Sequence, residues 1–453
     1  MAPSNITQRD PSQLKPWPGN ARTHSKKQIK QIARSIETFG FTNPVLIDAE
    51  DNILAGHGRM VAAQSIGMRS VPCMLIEYMS DEQKRAYVIA DNKLALNAGW
   101  DEEILAIELQ ALIDIPDLSF DIGVIGFEPS EIDILIDGQS PEDRSAPDED
   151  DKLPPLDKGA LVSRTGDLWI CGDHRIYCGD SLNASTYEAL MGEDRAQMVF
   201  TDPPYNVPVK GHVSGLGRTK HDEFAMASGE MSRAEFAWFL MSIFKHLNHY
   251  SSNGSIHFVC MDWRHMTEIL VAGEEQYTEL KNLIVWAKDN GGMGSFYRSR
   301  HELIFAFKNG TAPHINNFEL GQSGRYRTNV WEYRGVNSAG PDRMEALALH
   351  PTVKPVTMIA DTMRDCSARG GIILDAFGGS GSTLIAAEKT KRRAQLIEID
   401  PIYVDRSIRR WQICAHDDAF HAETGQTFDE MAAQRQSSHH DAKSEDGLRE
   451  VTS

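Results

Sequence analysis

A short run of chemically distinctive residues lies near the middle of the chain: Thr201, Asp202, Pro203, Pro204 and Tyr205. The residues before it, 196–200, are mostly apolar, which is typical of a buried parallel strand. Neither proline has an N–H for a strand ladder, and each restricts the residue before it, so the strand must end here. We therefore expect a carboxylate, free turn carbonyls and an aromatic ring at a strand's carboxyl end, where open α/β sheets bind ligands.

This group of residues could recognise an exocyclic amino group. The Asp202 carboxylate and a proline carbonyl are acceptors only, so together they can hold the two hydrogens of such an amine. The ring of Tyr205 offers a flat face on which a base, removed from its stack, could rest. The alternative is purely structural, because an Asp-Pro turn at a strand end is common.

A second region with ligand-binding character spans residues 371–383. An apolar strand there enters a glycine-rich turn and continues into a helix. Glycines in such a turn let a ligand approach the backbone near a helix N-terminus. The turn has neither the spacing of a dinucleotide fingerprint nor the lysine of a phosphate-binding loop. Glu398 ends the next predicted strand, about twenty residues on, where an acid is well placed to hold ribose hydroxyls.

Charge is unevenly distributed along the 453 residues, whose formal net charge is −19. Residues 137–157 carry eight acids against two bases, and residues 417–453 carry nine acids against three bases. Residues 281–345 instead carry nine bases against six acids. A local basic surface, rather than the global charge, is what DNA requires, so the acidic total does not exclude a nucleic-acid partner.

The cysteine pattern and the hydropathy of the sequence indicate the cellular compartment of the protein. The six cysteines include no C-x-x-C pair and are predicted to be small core residues in a reducing cytoplasm, with no metal site. No apolar run approaches the length of about 20 residues that a membrane span needs. We therefore expect a cytoplasmic protein with no membrane partner, and a nucleoid-associated one if DNA is its substrate.

The first hundred residues predict a small α+β domain. Ser25 suits a helix N-cap and Gly40 a helix end, and Ser80–Gln83 has the form of a capping box. Residues 44–48 and 70–78 have the composition of strands. Residues 53–63 are predicted to run from a strand through a glycine turn into a helix.

Residues 5–100 resemble the N-terminal domain of ParB-like partition proteins. The resemblance lies in the amphipathic helix, the Pro-Val-Leu-Ile strand and the turn Ala55, Gly56, His57, Gly58, Arg59. In that family the turn binds a nucleotide triphosphate or contributes to regulation. Here His57 and Gly58 replace a glutamate and an arginine of the usual form, which leaves nucleotide binding and a plain tight turn both open. The downstream DNA-binding parts of a partition protein are not recognisable.

The rest of the chain divides by composition. Residues 101–137 predict a helical appendage, 138–156 an acidic linker, 157–416 the main domain and 417–453 a disordered acidic tail. A capping box at Ser232 predicts a helix to Tyr250. Its apolar stripe is expected in the core and comprises Trp238, Leu240, Met241, Phe244 and Leu247.

Basic residues in loops and in a mixed basic–aromatic segment could contact DNA. Residues 206–228 and 290–300 predict loops, and residues 326–334 fit either a nucleic-acid-facing hairpin, which we favour, or a sheet face. The candidate DNA-binding residues are Lys210, Arg218, Lys220, Arg298, Arg325, Arg327 and Arg334. A merely solvated loop is the alternative for the first three.

Residues from about 160 to 416 resemble the S-adenosylmethionine-dependent DNA amino-methyltransferases of the beta arrangement. In that group the Asp-Pro-Pro-Tyr motif precedes the glycine-rich cofactor loop, with target recognition between them, here about residues 290–349. The resemblance implies a Rossmann-like α/β domain with a mixed sheet, preceded by the ParB-like domain. It further implies cofactor-binding roles for Asp180, Lys354, Asp375, Phe377, Gly379, Ser380, Gly381, Ser382 and Glu398.

The resemblance implies that the catalytic residues are Asp202, Pro203, Pro204 and Tyr205, acting on a flipped-out base in double-stranded DNA. It favours N6 of adenine over N4 of cytosine, although both amines present the same hydrogens. Methylation of RNA, and a partition-like regulator whose methyltransferase domain is inactive, also stay open. A homodimer is common in the group, and no interface pattern decides it here.

Overall fold

The computed structural model describes residues 6–113, 115, 118–127, 129–137, 151, 153–154, 161–206, 229–289, 297–318, 327–335 and 353–435. The chain divides into two compact units, Met1–Gln139 and Ser140–Ser453. That division falls at the predicted linker, most of which lies outside the described residues; the finer domain bounds stay predictions. No helix in the described part is long and apolar enough to cross a membrane.

The first unit contains a five-stranded mixed sheet. Its strands are β1 (Ile6–Arg9), β2 (Lys15–Pro16), β3 (Val45–Ile47), β4 (Asn52–Ala55) and β5 (Val71–Leu75), in the order β1-β5-β3-β4-β2. The residues before Ser25 thus supply both edge strands, β1 antiparallel to β5 and β2 parallel to β4. The side chains of Val45, Ile47 and Val71 form the centre of its core and are fully buried.

The described residues of the first unit form five α-helices. They are α1 (Lys26–Phe39), α2 (His57–Ser65), α3 (Asp81–Ala95), α4 (Glu102–Ile113) and α5 (Pro129–Asp137). Helices α1 and α3 begin where the capping residues predict, because the Ser25 side chain accepts from the Gln28 N–H, and Ser80 and Gln83 bond reciprocally as a capping box. Helices α4 and α5 lie within residues 101–137, the predicted helical appendage.

The second unit contains a ten-stranded mixed sheet among its described residues. The strands are β6 (Leu168–Cys171), β7 (His174–Cys178), β8 (Ala196–Thr201), β9 (Ser251–Met261), β10 (Glu279–Ala287), β11 (His301–Lys308), β12 (Val330–Glu332), β13 (Ile372–Asp375), β14 (Arg393–Glu398) and β15 (Ala419–His421). Their order is β12-β10-β11-β9-β8-β13-β14-β7-β6-β15. The helices are α6 (Ala184–Met191), α7 (Arg233–His249), α8 (Met266–Gln276), α9 (Val356–Cys366), α10 (Ser382–Thr390) and α11 (Pro401–Ala415). Buried apolar clusters on the sheet confirm an α/β fold.

Five adjacent strands at the centre of this sheet run parallel. β9 pairs with β8, β8 with β13, β13 with β14 and β14 with β7, all in parallel. Because the carboxyl ends of parallel strands meet at one edge, the residues that follow these strands are brought together. Those residues include Asp202, the glycine loop, Glu398 and Asp180.

Two predictions for this unit are wrong. Trp238 was predicted to pack in the core, but its side chain is 62% exposed, because it lies on the outer face of α7 while Leu240, Phe244 and Leu247 are buried. Residues 417–435 were predicted to be disordered, but they form β15 and a helix at 428–435. That helix buries Phe428 and Met431 against the sheet; residues 436–453 lie outside the described residues.

Candidate active site

Asp202 follows β8 directly, and both of its carboxylate oxygens are engaged by the protein. Oδ2 lies 2.5 Å from the ammonium nitrogen of Lys354, and Oδ1 accepts from the Tyr205 hydroxyl at 2.5 Å. Pro203 is buried and ends the strand as predicted. Asn206 has a positive φ of 51° and bonds both the N–H and the carbonyl of Met231, which fixes the chain immediately after the motif.

Lys354 also contacts a second carboxylate, which the sequence analysis did not single out. Its ammonium lies 2.8 Å from Glu302 Oε1, and Glu302 Oε2 lies 2.7 Å from the ammonium of Lys288. The Tyr205 hydroxyl also lies within hydrogen-bond distance of Glu302, so its one proton can be donated either to Asp202 or to Glu302. The five residues Asp202, Tyr205, Lys288, Glu302 and Lys354 are called the carboxylate–lysine cluster below. Glu302 is an acidic residue directly before the apolar run 303–307 of β11, and that was the available signal in the sequence.

The cluster contains two carboxylates and two ammonium groups. Burial and the charges of these groups together set the pKa values of its members. Burial raises the pKa of Asp202 above its ordinary value, although Lys354 opposes the shift. Burial would also raise the pKa of Glu302, but the ammoniums of Lys288 and Lys354 lower it well below its usual range. Burial raises the pKa of Tyr205 well above 10, so its hydroxyl remains a donor at neutral pH.

The glycine loop after β13 is tied to the catalytic strand by Asp375. Its Oδ1 accepts from the Thr201 hydroxyl at 2.9 Å and its Oδ2 from the Thr383 hydroxyl at 2.7 Å. Burial raises its pKa to about 6, and these hydrogen bonds limit the shift. Asp375 therefore acts as a fixed internal link between β8, the loop and α10.

Glu398 ends β14 and faces the glycine loop. Its Oε2 accepts from the Gly379 N–H at 2.7 Å and its Oε1 from the Asp400 N–H at 2.9 Å. Burial raises the pKa of Glu398 to about 7. Asp180, two residues beyond β7, lies at the same edge of the sheet, because the Gly179 N–H donates to the Glu398 carbonyl.

Two side chains of helix α11 form hydrogen bonds with the glycine loop from the side of the protein core. These contacts were not predicted from the sequence. The Ser407 hydroxyl donates to the Gly379 carbonyl at 2.9 Å, and Arg410, 4% exposed, donates to the Ser380 carbonyl at 2.9 Å and to Ser382 Oγ at 3.2 Å. A Cβ at Gly379, in contrast, would meet only the Phe377 carbonyl, 3.9 Å away. The loop is therefore firmly supported behind and open in front, as a ligand cradle must be.

The candidate DNA-binding residues other than Arg327 are either outside the described residues or at the surface. Lys210, Arg218, Lys220 and Arg325 lie outside the described residues. Arg298 is exposed, and Arg334 forms an ion pair with Asp289 at 3.6 Å. For these residues a DNA contact stays a prediction.

Arg327 has a structural role in place of the predicted one. Its guanidinium is 7% exposed, bonds Asp365 at 3.0 Å and lies over the ring of Trp331. Trp331 and Tyr333 are buried, and among the described residues β12 pairs in parallel with β10 and forms no hairpin. The alternating aromatics of this segment therefore belong to the sheet, which was the other interpretation of the sequence.

The glycine turn of the first unit is occupied by its own contacts. Gly56 has a φ of 97°, His57 Nε2 accepts from the Trp17 N–H at 3.2 Å, and Arg59 donates to the Pro44 carbonyl at 3.3 Å. Burial lowers the pKa of both His57 and Arg59. These contacts explain the turn structurally and leave a nucleotide at this turn as a prediction.

Comparison with known proteins identifies the family. Residues 196–409 match the family described as DNA methylase, residues 2–93 the ParB N-terminal domain, and residues 103–165 the ParB-methyltransferase HTH domain. The chain therefore combines a ParB-like N-terminal domain with a DNA methylase domain. The HTH match spans both the predicted helical appendage and the predicted linker, so the expectation that no such downstream module is recognisable was wrong.

Individual relatives resemble the two parts of this DNA methylase separately. The ParB-like nuclease domain-containing protein YnaK of Escherichia coli K12 is 49% identical over 80 residues, which are 18% of this chain and 92% of YnaK. The DNA adenine methyltransferase YhdJ of the same organism is 24% identical over 248 residues, covering 49% of this chain and 78% of YhdJ. The solved PvuII DNA methyltransferase (cytosine-N4-specific) shares 16% identity at a TM-score of 0.41, covering 57% of this chain and 90% of that one.

Proposed function

We propose that this DNA methylase transfers a methyl group from S-adenosylmethionine to the exocyclic N6 of adenine at a specific site in double-stranded DNA. The observation that carries the proposal is the link between β8 and β13. Parallel pairing and the Thr201–Asp375 hydrogen bond hold the Asp-Pro-Pro-Tyr motif beside the glycine loop. An acceptor for an amino group and a cradle for a nucleoside are thus neighbours.

The residues at the glycine loop fit the proposed cofactor. Glu398 provides a carboxylate suited to two ribose hydroxyls, and the open front of Gly379 allows close approach to the backbone. Asp180 and Phe377 border the same edge, and both are partly exposed. The bound cofactor would supply an electrophilic methyl group on a sulfonium.

The Asp-Pro-Pro-Tyr residues would act on the target base by orientation. Asp202 and the Pro203 carbonyl accept the two amino hydrogens, which turns the nitrogen lone pair out of conjugation and towards the methyl group. The Tyr205 ring supports the flipped base by stacking. Each oxygen of Asp202 already accepts one hydrogen bond, so the amino group must use a remaining lone pair of the carboxylate or displace Lys354 or Tyr205.

The nitrogen that gains a methyl group must lose a proton. Asp202 is positioned to take it, since it accepts one of those hydrogens and since burial raises its pKa above the ordinary value. Its side chain is 21% exposed, which gives the proton a route to water. Positioning and a fixed electrostatic environment would supply most of the rate.

Adenine is favoured because the catalytic motif begins with aspartate and because YhdJ, which covers the same region, is named as an adenine methyltransferase. Methylation of cytosine N4 is the second candidate, since that amine presents the same two hydrogens to Asp202. An inactive domain serving a partition-like regulator is disfavoured by the intact Asp202 and the complete glycine loop.

Modification-sensitive single-molecule sequencing of DNA from cells expressing the chain tests the proposal. N6-methyladenine at one short motif is expected, lost in Asp202→Ala and kept in Asp194→Ala, which removes an aspartate that is 40% exposed. N4-methylcytosine would overturn the base assignment while keeping the methyltransferase. No mark on DNA from cells holding folded protein would overturn the proposal.

We further infer that the ParB-like domain helps to target or regulate the enzyme, because it is joined to a catalytic domain that already holds a complete site. Deleting residues 1–137 tests this inference. Lower DNA affinity or a changed methylation pattern is expected, and unchanged affinity and activity would contradict it.

A further inference from the structure

Lys354 is shared between two carboxylates in the carboxylate–lysine cluster. Its side chain is 4% exposed, and its ammonium lies 2.5 Å from Asp202, 2.8 Å from Glu302 and 3.2 Å from the Tyr205 hydroxyl. These three contacts satisfy the three N–H donors of an ammonium. Whatever draws Lys354 towards one carboxylate therefore weakens its hold on the other.

Glu302 is itself held from the other side. Its second oxygen bonds Lys288 at 2.7 Å, and Lys288 is 31% exposed and lies over the ring of Trp286 at 4.4 Å. Glu302 is on β11 and Lys288 directly follows β10, in strands paired at Ala287 and His301. The paired strands thus place Glu302 between an exposed lysine and a buried one.

We propose that Glu302 is a positioning residue for Asp202, which sets through the shared Lys354 how readily Asp202 accepts the amino hydrogens of the target base. The proposal rests on the proposed function. An amino group that binds at Asp202 Oδ2 competes with the Lys354 ammonium, which lies 2.5 Å from that oxygen, and therefore favours displacement of the ammonium. Glu302 keeps a second partner for Lys354, so that displacement does not leave a buried ammonium unpaired.

Two substitutions should move the cluster in opposite directions. In Glu302→Gln the second negative charge is gone, Lys354 pairs with Asp202 alone, and the pKa of Asp202 falls. In Lys288→Met the negative charge of Glu302 loses its outer cation and competes more strongly for Lys354. The pKa of Asp202 then rises, because its own cation is drawn away and a nearby positive charge is removed.

Other charged and titratable groups near Asp202 are unchanged by these substitutions. Burial raises the pKa of the Cys260 thiol on β9 well above its ordinary value, and burial likewise raises that of Tyr205, so both stay neutral at assay pH. Asp375, the last residue of β13, lies near Cys260 and Asp202 and keeps its own hydrogen bonds. Opposite shifts in the two variants can therefore be assigned to the sharing of Lys354.

Methyl transfer by the full chain as a function of pH is the first measurement. Because Asp202 acts as the carboxylate, the acid limb of kcat should move to lower pH in Glu302→Gln and to higher pH in Lys288→Met. We expect kcat to fall about tenfold in Glu302→Gln, while KM for the cofactor changes less than about twofold. Glu279→Gln and Lys281→Met, which break an exposed pair on β10, are the matched controls and should leave the limb in place.

A second measurement follows Asp202 without turnover. The carboxyl carbon of Asp202, in protein labelled at aspartate and assigned with Asp202→Asn, should titrate at lower pH in Glu302→Gln and at higher pH in Lys288→Met. Coincident titrations in both variants and the wild type would overturn the inference, whatever the activity. Shifted titrations in a protein that transfers no methyl group would leave the coupling standing and refute the proposed function instead.

Discussion

The hydroxyl of Thr201 donates to the carboxylate of Asp375 across 174 positions of sequence, at 2.9 Å and fully buried. Thr201 is the last residue of β8, immediately before Asp202, and Asp375 is the last residue of β13, immediately before the glycine loop. One hydrogen bond therefore fixes the distance between the residues proposed to hold the target base and those proposed to hold the cofactor.

Thr201→Val should destabilise the protein by about 1–3 kcal/mol, because it removes the hydroxyl donor to a buried carboxylate oxygen of Asp375 and leaves that oxygen with the Phe377 N–H alone. The loss should grow with pH. The pKa of folded Asp375 is about 6 against an ordinary 3.8, so its contribution to stability is complete below about pH 4 and is lost as pH rises through 6. Removing the Thr201 donor raises the pKa of folded Asp375 further, so the loss of stability relative to the wild type is larger at pH values above that pKa.

Urea unfolding of Thr201→Val at pH 5 and pH 8 measures the effect. Thr278→Val is the control, since the Thr278 hydroxyl bonds two backbone carbonyls at an exposed position. Equal losses in the two variants, or a loss for Thr201→Val that shrinks from pH 5 to pH 8, would contradict the prediction.

Affinity for S-adenosylmethionine should increase as pH rises from 6 to 8. The ionised Glu398 carboxylate is the better acceptor for ribose hydroxyls, and burial places its pKa at about 7. In Glu398→Gln the dissociation constant should be larger by about tenfold at pH 8 and nearly independent of pH. Calorimetric titration measures both values. Glu188→Gln, at an exposed position of α6, should behave as the wild type, and a pH-dependent Glu398→Gln would refute the assignment.

The central strands could be predicted from sequence because their signals are local. A buried parallel strand is an apolar run, a proline pair or a glycine turn ends it, and parallel strands bring their ends together. Asp202, Asp375 and Glu398 were therefore placed from their positions in the chain alone.

The carboxylate–lysine cluster could not be predicted, because its contacts are distant in sequence. Glu302 lies 97 positions from Tyr205, and Lys354 lies 152 positions from Asp202. Trp238 shows a different limit. The spacing of apolar residues along a helix predicts which face is turned towards the core. Whether a residue at the margin of that face, such as Trp238, is covered depends on the neighbouring elements, which are not local in sequence.

Gly381→Ala should weaken binding of the cofactor in addition to any effect on the stability of the protein. Gly381 has a φ of 81°, and an added Cβ would come within 2.9 Å of the Ser407 hydroxyl that supports the loop. The loop must shift to relieve both the strain and the contact, and we expect at least about tenfold weaker binding.

Gly370→Ala is the matched control for backbone strain. Gly370 also has a positive φ, 71°, but an added Cβ would meet nothing within 4 Å. It should lose about 1 kcal/mol of stability and keep its affinity for the cofactor. Equal affinities for the two variants in a calorimetric titration would show that the Ser407 contact does not shape the loop.

Phe428→Ala should destabilise the second unit by about 3–5 kcal/mol, as expected for a buried aromatic residue. Phe428 is 1% exposed, packs edge-on against Trp169 at 5.1 Å and carries the Arg409 guanidinium over its ring at 4.6 Å. Phe420→Ala removes an aromatic that is 42% exposed from the neighbouring strand β15, and it should cost far less. Urea unfolding of the two variants compares them directly. If residues 417–435 were disordered, neither substitution would change the unfolding midpoint. A wild-type midpoint for Phe428→Ala would therefore support the prediction of a disordered tail and contradict the packing described here.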